Sequence, residues 1–274
     1  MIRLLQLELQ KLLLNRTSKI LIFISFILPL CVIILSSIKI NFFGFFTLEL
    51  GELGIFNFPI VWHITTFFSA LFKFFFAIVV VSMIGNEYSN KTLKQNLIDG
   101  LSKKEFILSK FYAILFFSLI STVIIFIISL VLGLIYSSYN ELNIIVREME
   151  FLPAYFIKLV GFFSFSLFLG VFAKRSAFAL AFLFVDFIIE WIIFGLIAWK
   201  SSIDLATKIQ SFFPLTSMSN LIKQPFQRVA MAKFPNKNTL DYDYAVHLDN
   251  MLIVSVWIFI FIFFSYKLLK RRDL

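Results

Sequence analysis

Between Phe111 and Tyr136 the chain runs for 26 residues without one Asp, Glu, Lys or Arg. A helix of that length, rising about 1.5 Å per residue, exceeds the roughly 30 Å hydrocarbon core of a bilayer. Five other runs are long enough, or nearly so, to cross a membrane. They are 20–38, 65–84 (interrupted by Lys73), 154–173 (with Lys158 near its start), 177–199 (carrying Asp186 and Glu190) and 251–266. Composition agrees, with 60% hydrophobic residues, 15% charged residues and 39 Phe. A soluble domain carries about 25% charged residues, and this chain has more apolar surface than a single soluble core can hide. A water-soluble enzyme and a disordered chain are both excluded. The expected fold class is an all-α integral membrane protein with six transmembrane helices, forming one domain over 1–274.

Six crossings put both termini on one side, and the loop charges choose which. With the termini inside, segments 1–19, 85–110, 174–175 and 267–274 hold 15 Lys and Arg in 55 residues. Segments 39–64, 137–153 and 200–250 then hold 8 in 94. This threefold bias in density predicts cytoplasmic termini by the positive-inside rule. The net charge of +9 is accounted for by the same rule, so no nucleic-acid partner is implied. No A-x-A-like cleavage site follows the first apolar run, which reads as a retained crossing. The one cysteine, Cys31, cannot form an internal disulfide, and His63 and His247 fit no metal-ligand spacing.

Three polar segments carry the organisation. Residues 1–19 predict an interfacial helix, with Ile2, Leu5, Leu9, Leu12 and Leu13 on one face and Arg3, Gln6, Glu8, Gln10, Lys11 and Asn15 off it. A simple basic flank for the first crossing fits the pattern equally well. Within 85–110 a short helix is expected from about 90 to 98, closed by Gly100. Ser102 and Glu105 then form a capping box for a helix that runs into the third crossing. Such a stiff transverse helix, at the inner surface, is a lever for a soluble partner. In the outer loop 200–250, Ser201 and Ser202 could cap a helix over 203–212. Leu215–Ile222 is expected to dip into the outer leaflet, and the remainder reads as a polar surface loop.

No phosphate-binding G-x-x-x-x-G-K-[ST] loop, H-E-x-x-H helix or G-x-S-x-G elbow occurs. No catalytic site, metal or cofactor is expected in this chain. The chemistry left to explain is the set of intramembrane charges Lys73, Asp186 and Glu190, with Lys158. Asp186 and Glu190 share a helix face, being four residues apart. Counted from the outer ends of their crossings, Lys73 and Glu190 lie at roughly the same depth, about 12–14 Å. They are expected to pair if the second and fifth crossings are neighbours, while Lys158 snorkels outward. Such charges serve either an ion path or helix packing, and packing is the favoured reading. The crossings' hydroxyls (Ser25, Thr66, Ser69, Ser118, Ser121, Thr122, Ser129, Ser164 and Ser166) are expected to bond their own helix backbones and define no hydrophilic pore.

The motif order resembles a known family. E-L-x-K-L (Glu8 to Leu12) opens the chain, E-Y-x-x-x-T-L (Glu87 to Leu93) follows the second crossing, and S-K-x-E-F-x-x-x-K (Ser102 to Lys110) precedes the third. The pattern is similar to the permease subunits of ABC type-2 transporters, most nearly those found in Bacteroidota. One departure is the absence of Pro before Lys103-Lys104. The resemblance implies an ABCG-like exporter fold in a bacterial inner membrane, paired with a second identical or homologous permease chain. It implies docking on a separate ATP-binding subunit, which would carry ATP and Mg. Residues 1–19 then correspond to the connecting helix, 89–98 to the coupling helix and 200–222 to short outer helices. The docking residues implied are Glu87, Tyr88, Lys91, Thr92, Leu93, Lys94, Leu97 and Ile98, with Leu93, Leu97 and Ile98 as the apolar face. Two rival classes are a self-contained secondary transporter or channel using the intramembrane charges, and a non-transporting anchor or scaffold. The resemblance implies no particular substrate, but the lack of a hydrophilic pore favours an amphipathic or apolar one.

Overall fold

The uncharged runs fold as helices, which close their backbone hydrogen bonds within the segment as a bilayer requires. The computed structural model describes residues 2–37, 40–42, 46–48, 54–138, 141–228 and 243–272. The chain starts with α1 (Ile2–Leu14) and α2 (Arg16–Ser37), then a two-strand antiparallel ribbon, β1 (Ile40–Phe42) and β2 (Phe46–Leu48). There follow α3 (Ile60–Leu71), α4 (Lys73–Ser89), α5 (Thr92–Ile98) and α6 (Lys103–Tyr136). Next come α7 (Leu142–Ile145), α8 (Phe151–Ala173), α9 (Ser176–Lys200), α10 (Ile203–Gln210), α11 (Pro214–Asn220) and α12 (Leu248–Lys270). Among the described residues α2, α6, α8, α9 and α12 are each long and apolar enough to cross a membrane, and α3 with α4, counted as one bent span, brings the number to six. The protein is an all-α, multi-pass integral membrane protein.

One expectation is corrected: the second crossing is not one helix over 65–84, because α3 and α4 meet at Phe72 with a bend of 44°. In the ribbon that follows α2, Ile40 pairs with Leu48 and Phe42 with Phe46. Most of the polar stretch between α11 and α12, from 229 to 242, lies outside the described residues.

α8 is the centre of the bundle. It packs against α3, α4, α6, α9 and α12, and Phe162, Phe163, Leu167 and Val171 are buried along it. α6, at 34 residues, is roughly 50 Å long and therefore projects beyond the apolar core at the end where the termini lie. Its start is set by the expected box: the Ser102 hydroxyl accepts from the Glu105 N–H, and the Glu105 carboxylate accepts from the Ser102 N–H. Gly100, at φ +95°, makes the left-handed turn between α5 and α6. Many span hydroxyls bond their own helices: Ser25 to Leu21 O, Thr66 to Trp62 O, Thr122 to Ser118 O, Ser129 to Ile125 O and Ser166 to Phe162 O. Ser121 instead bonds the Tyr155 hydroxyl, and Ser69, Ser118 and Ser164 have buried oxygens without a hydrogen-bond partner among the described residues.

Only Lys174 and Arg175 join α8 to α9, so the start of α9 is pressed against α4. A Cβ built on Gly85 would collide with the side chain and backbone nitrogen of Ser176. Gly85→Val should therefore cost about 1–3 kcal/mol through overpacking. In thermal unfolding of the detergent-solubilised protein it should lower the midpoint clearly. Gly195→Ala, where nothing lies within 4 Å of the added Cβ, should not lower it.

Candidate functional site

At the end of the bundle that carries both termini, four helices meet on one lysine. Lys110, two turns into α6, is 1% exposed. Its Nζ donates to Glu8 Oε2 of α1 at 2.5 Å and to Glu87 Oε1 of α4 at 3.0 Å. Glu87 Oε1 also accepts from Lys11 Nζ at 2.8 Å. Glu87 Oε2 accepts from Thr92 Oγ1 at 2.6 Å and Asn96 Nδ2 at 3.0 Å, both on α5. Ser109 Oγ reaches Glu8 Oε1 at 3.2 Å. Two carboxylates and two ammoniums thus neutralise one another, with hydroxyl and amide donors on the remaining oxygens. Burial of ions is costly unless geometry and extra hydrogen bonds offset it, and this node meets both conditions. A cavity of about 330 Å³ borders it, lined by Asn15, Ser18, Asn86 and Asn90 among others.

The expected short helix is present as α5, two residues later than its expected start. Lys91 enters it in the left-handed conformation, at φ 57°. The expected apolar face, however, divides. Leu93 is 2% exposed and belongs to the core, Leu97 is half-buried against it, and Ile98 is 70% exposed. Leu93 is covered because Thr92 and Asn96 turn that side of α5 toward Glu87. The free side carries Lys91, Lys94 and Ile98. Tyr88 is not at a bare root either, since its hydroxyl accepts from Arg272 Nη1 at 2.9 Å. Arg272 also donates to the backbone oxygens of Val171 and Phe172, which binds the chain's end to the α8–α9 turn.

Inside the membrane the expected Lys73–Glu190 ion pair is not formed. Glu190 instead caps α11: it accepts from the N–H groups of Leu215 and Thr216 at 2.8 and 2.9 Å and from Thr216 Oγ1 at 2.7 Å. Lys158 does not snorkel outward. It is buried, and its Nζ contacts Ser219 O and Ile222 O at 3.5 and 3.4 Å, at the other end of α11. An anion at the amide end and a cation at the carbonyl end both oppose the helix dipole, so this seven-residue helix is clasped with the favourable sense at each end. Among the described residues Lys73 forms no hydrogen bond or ion pair, and its ammonium lies over the rings of Phe162 at 4.3 Å and Phe74 at 5.9 Å. Asp186, one turn from Glu190, keeps a buried Oδ2 without a hydrogen-bond partner among the described residues. An uncompensated charge at this depth costs about 2.5–3.5 kcal/mol or more.

Glu8 and Lys110 were missing from the expected site, although both stand in the quoted motifs. Glu8 lies three residues after Leu5 and four before Leu12, which places it on the apolar stripe of α1 rather than off it. Glu8 and Leu12 are the buried residues of that helix, whereas Ile2 and Leu13 are exposed. An acid inside an apolar stripe signals an internal cation, and that signal was readable. On the opposite side His63 is a packing residue, stacked on Phe151 at 4.3 Å with Nε2 at 2.7 Å from Lys223 O. Arg228 pairs bidentately with Glu148 at 2.7 and 2.6 Å.

A family model described as ABC-2 family transporter protein matches residues 12–274. No individual curated protein matches the chain.

Removing the central cation of the node should leave two carboxylates facing each other. Lys110→Met should destabilise by about 3–5 kcal/mol, as the breaking of a buried pair does. Adding Glu8→Gln should restore part of the loss. Thermal unfolding of purified protein checks this: a double variant no more stable than Lys110→Met would contradict the node's electrostatic role.

Proposed function

We propose that this chain, which belongs to the ABC-2 family of transporter proteins, is the permease subunit of an exporter driven by ATP hydrolysed on a separate subunit. The observation that carries the reading is the attachment of α5. Its Thr92 and Asn96 hold Glu87, and Glu87 holds Lys11 of α1 and Lys110 of α6. A push on α5 therefore moves α1, α4 and α6 together, whereas a flexible loop would absorb it. The free side of α5 is a basic and apolar surface suited to an ATP-binding partner. ATP and Mg belong to that partner, and this chain contributes no catalytic group. A second permease chain, identical or homologous, completes the transporter. The end bearing α1, α5 and the C-terminus faces the cytoplasm of a bacterial inner membrane, in keeping with the bias of Lys and Arg.

Docking is tested on the exposed face of α5 and not on its core face. Lys94→Glu with Ile98→Asp should leave folding intact and release the ATP-binding subunit during purification. Apolar interface anchors commonly contribute 2 kcal/mol or more, roughly thirtyfold in affinity. Leu93→Asp, by contrast, should lower the yield of folded protein. Continued co-purification of the surface double variant with a fully stimulated ATPase would sink the coupling assignment.

Orientation has its own readout. In a Cys31→Ser background, a cysteine at Lys94 should react with an impermeant maleimide only after the inner face is opened. A cysteine at Asp204, at the exposed start of α10, should react in intact cells. The reverse pattern would invert the topology.

A further inference from the structure

We propose that the cavity of about 440 Å³ between α4, α8, α9 and α11 binds an amphiphile with an anionic head. Its carboxylate or phosphate would pair with Lys73, and its tail would lie along Phe184, Phe187 and Trp191. The volume falls within the roughly 300–1,000 Å³ usual for small-molecule sites. The lining is also of the usual kind, apolar and aromatic with a few convergent polar groups, here Gln210, Thr216, Ser219 and Asn220.

Charge decides the class of ligand. Lys73 reaches into the cavity with no carboxylate within ion-pair distance and no hydrogen-bond acceptor among the described residues. The acid that lines the same cavity, Glu190, is already engaged by the amides of α11. The next cation on α8, Lys158, lies one turn from Phe162 and adds positive potential. Lys73 and Phe74 are also the first residues of α4, which resumes after the bend at Phe72. On the far side of Lys73 a second cavity, beside Ser69 and Tyr155, has about 20 Å³. That is room for roughly one water molecule and for no counter-ion of any size. A cationic ligand would meet Lys73 as a like charge, and a neutral one would leave it unpaired.

Access decides the shape. Phe74, Phe184, Phe187 and Trp191 line the cavity and are exposed on the outside of the helices, so it opens sideways toward lipid. A head can be held at Lys73 while a chain extends out along α9. Lys73 and Glu87 are fourteen residues apart on α4, about 21 Å of one helix. A displacement at α5 therefore acts directly on the residue that would hold the head. The step from binding to carriage rests on the transport reading above, but binding itself does not.

The test uses the full chain in phosphatidylcholine nanodiscs and follows the fluorescence of Trp191, quenched by a brominated twelve-carbon fatty acid in its ionised form. Saturable quenching is expected, and its loss in Trp191→Phe locates it. Lys73→Met should weaken the apparent affinity at least about tenfold, while Lys73→Arg should stay near the parent, because a close ion pair needs the charge more than the shape. Phosphatidylglycerol that displaces the fatty acid would identify membrane lipid as the source of the head; failure to displace it would identify a free single-chain acid. Either supports the proposal. The methyl ester of the same acid, tested on the unaltered chain, is decisive even if a Lys73 variant folds poorly. Equal binding of ester and acid overturns the proposal, as does unsaturable quenching or an unchanged affinity in Lys73→Met. Co-purification with an ATP-binding subunit is scored separately, so loss of this site with coupling intact refutes the ligand and leaves the permease reading standing.

Discussion

The buried ammonium of Lys110 is the constraint on which the foot of the molecule depends. It lies between the carboxylates of Glu8 and Glu87, and together with Lys11 it balances their two charges. Removing ions from water costs several kcal/mol each, repaid only by close opposite charge and by hydrogen bonds to the remaining oxygens. Lys11, Thr92, Asn96 and Ser109 supply those bonds. The result is directional. α1 is held beneath α6, α5 is held beneath α4, and the position of each helix is written into the others.

The same physics works inside the membrane with a different outcome. Glu190 and Lys158 are separated on α9 and α8, and a short helix is placed between them so that its own dipole completes the pairing. Charges that would be costly in lipid become the means by which α11 is held inside the bundle. Lys73 is treated otherwise. Its ammonium rests on the faces of Phe162 and Phe74 beside an open cavity, an arrangement that holds a cation in place without neutralising it.

These two regions are linked by α4. Glu87 at its end is tied to the node, and Lys73 at its beginning lies at the bend of 44° beside the cavity. α4 is packed along its length against the buried α8, with Val79, Val80, Val81 and Ile84 fully enclosed, so it moves as a rigid rod. A break in a span is where such a rod can tilt without disturbing α3. The architecture thus suits transmission from one end of the protein to the middle of the membrane.

Much of this was legible in the chain itself. Apolar length located the spans, though not the bend at Phe72, because an unpaired peptide group in hydrocarbon admits only helix there. Local chemistry determined the capping box at Ser102 and Glu105, the turn at Gly100 and the existence of α5, since these depend on residues within one or two turns. Depth counting drew Lys73 and Glu190 together, and both line one cavity. It could not say which way each side chain points around its helix axis. That left the pairing wrong, and for the same reason Leu93 was assigned to the surface and Lys158 to the water. Spacing along a helix specifies a face but not the neighbour that face will meet. The partners of Glu8, Lys110, Lys158 and Glu190, which come from helices 23 to 102 residues away, were decided only when the helices packed.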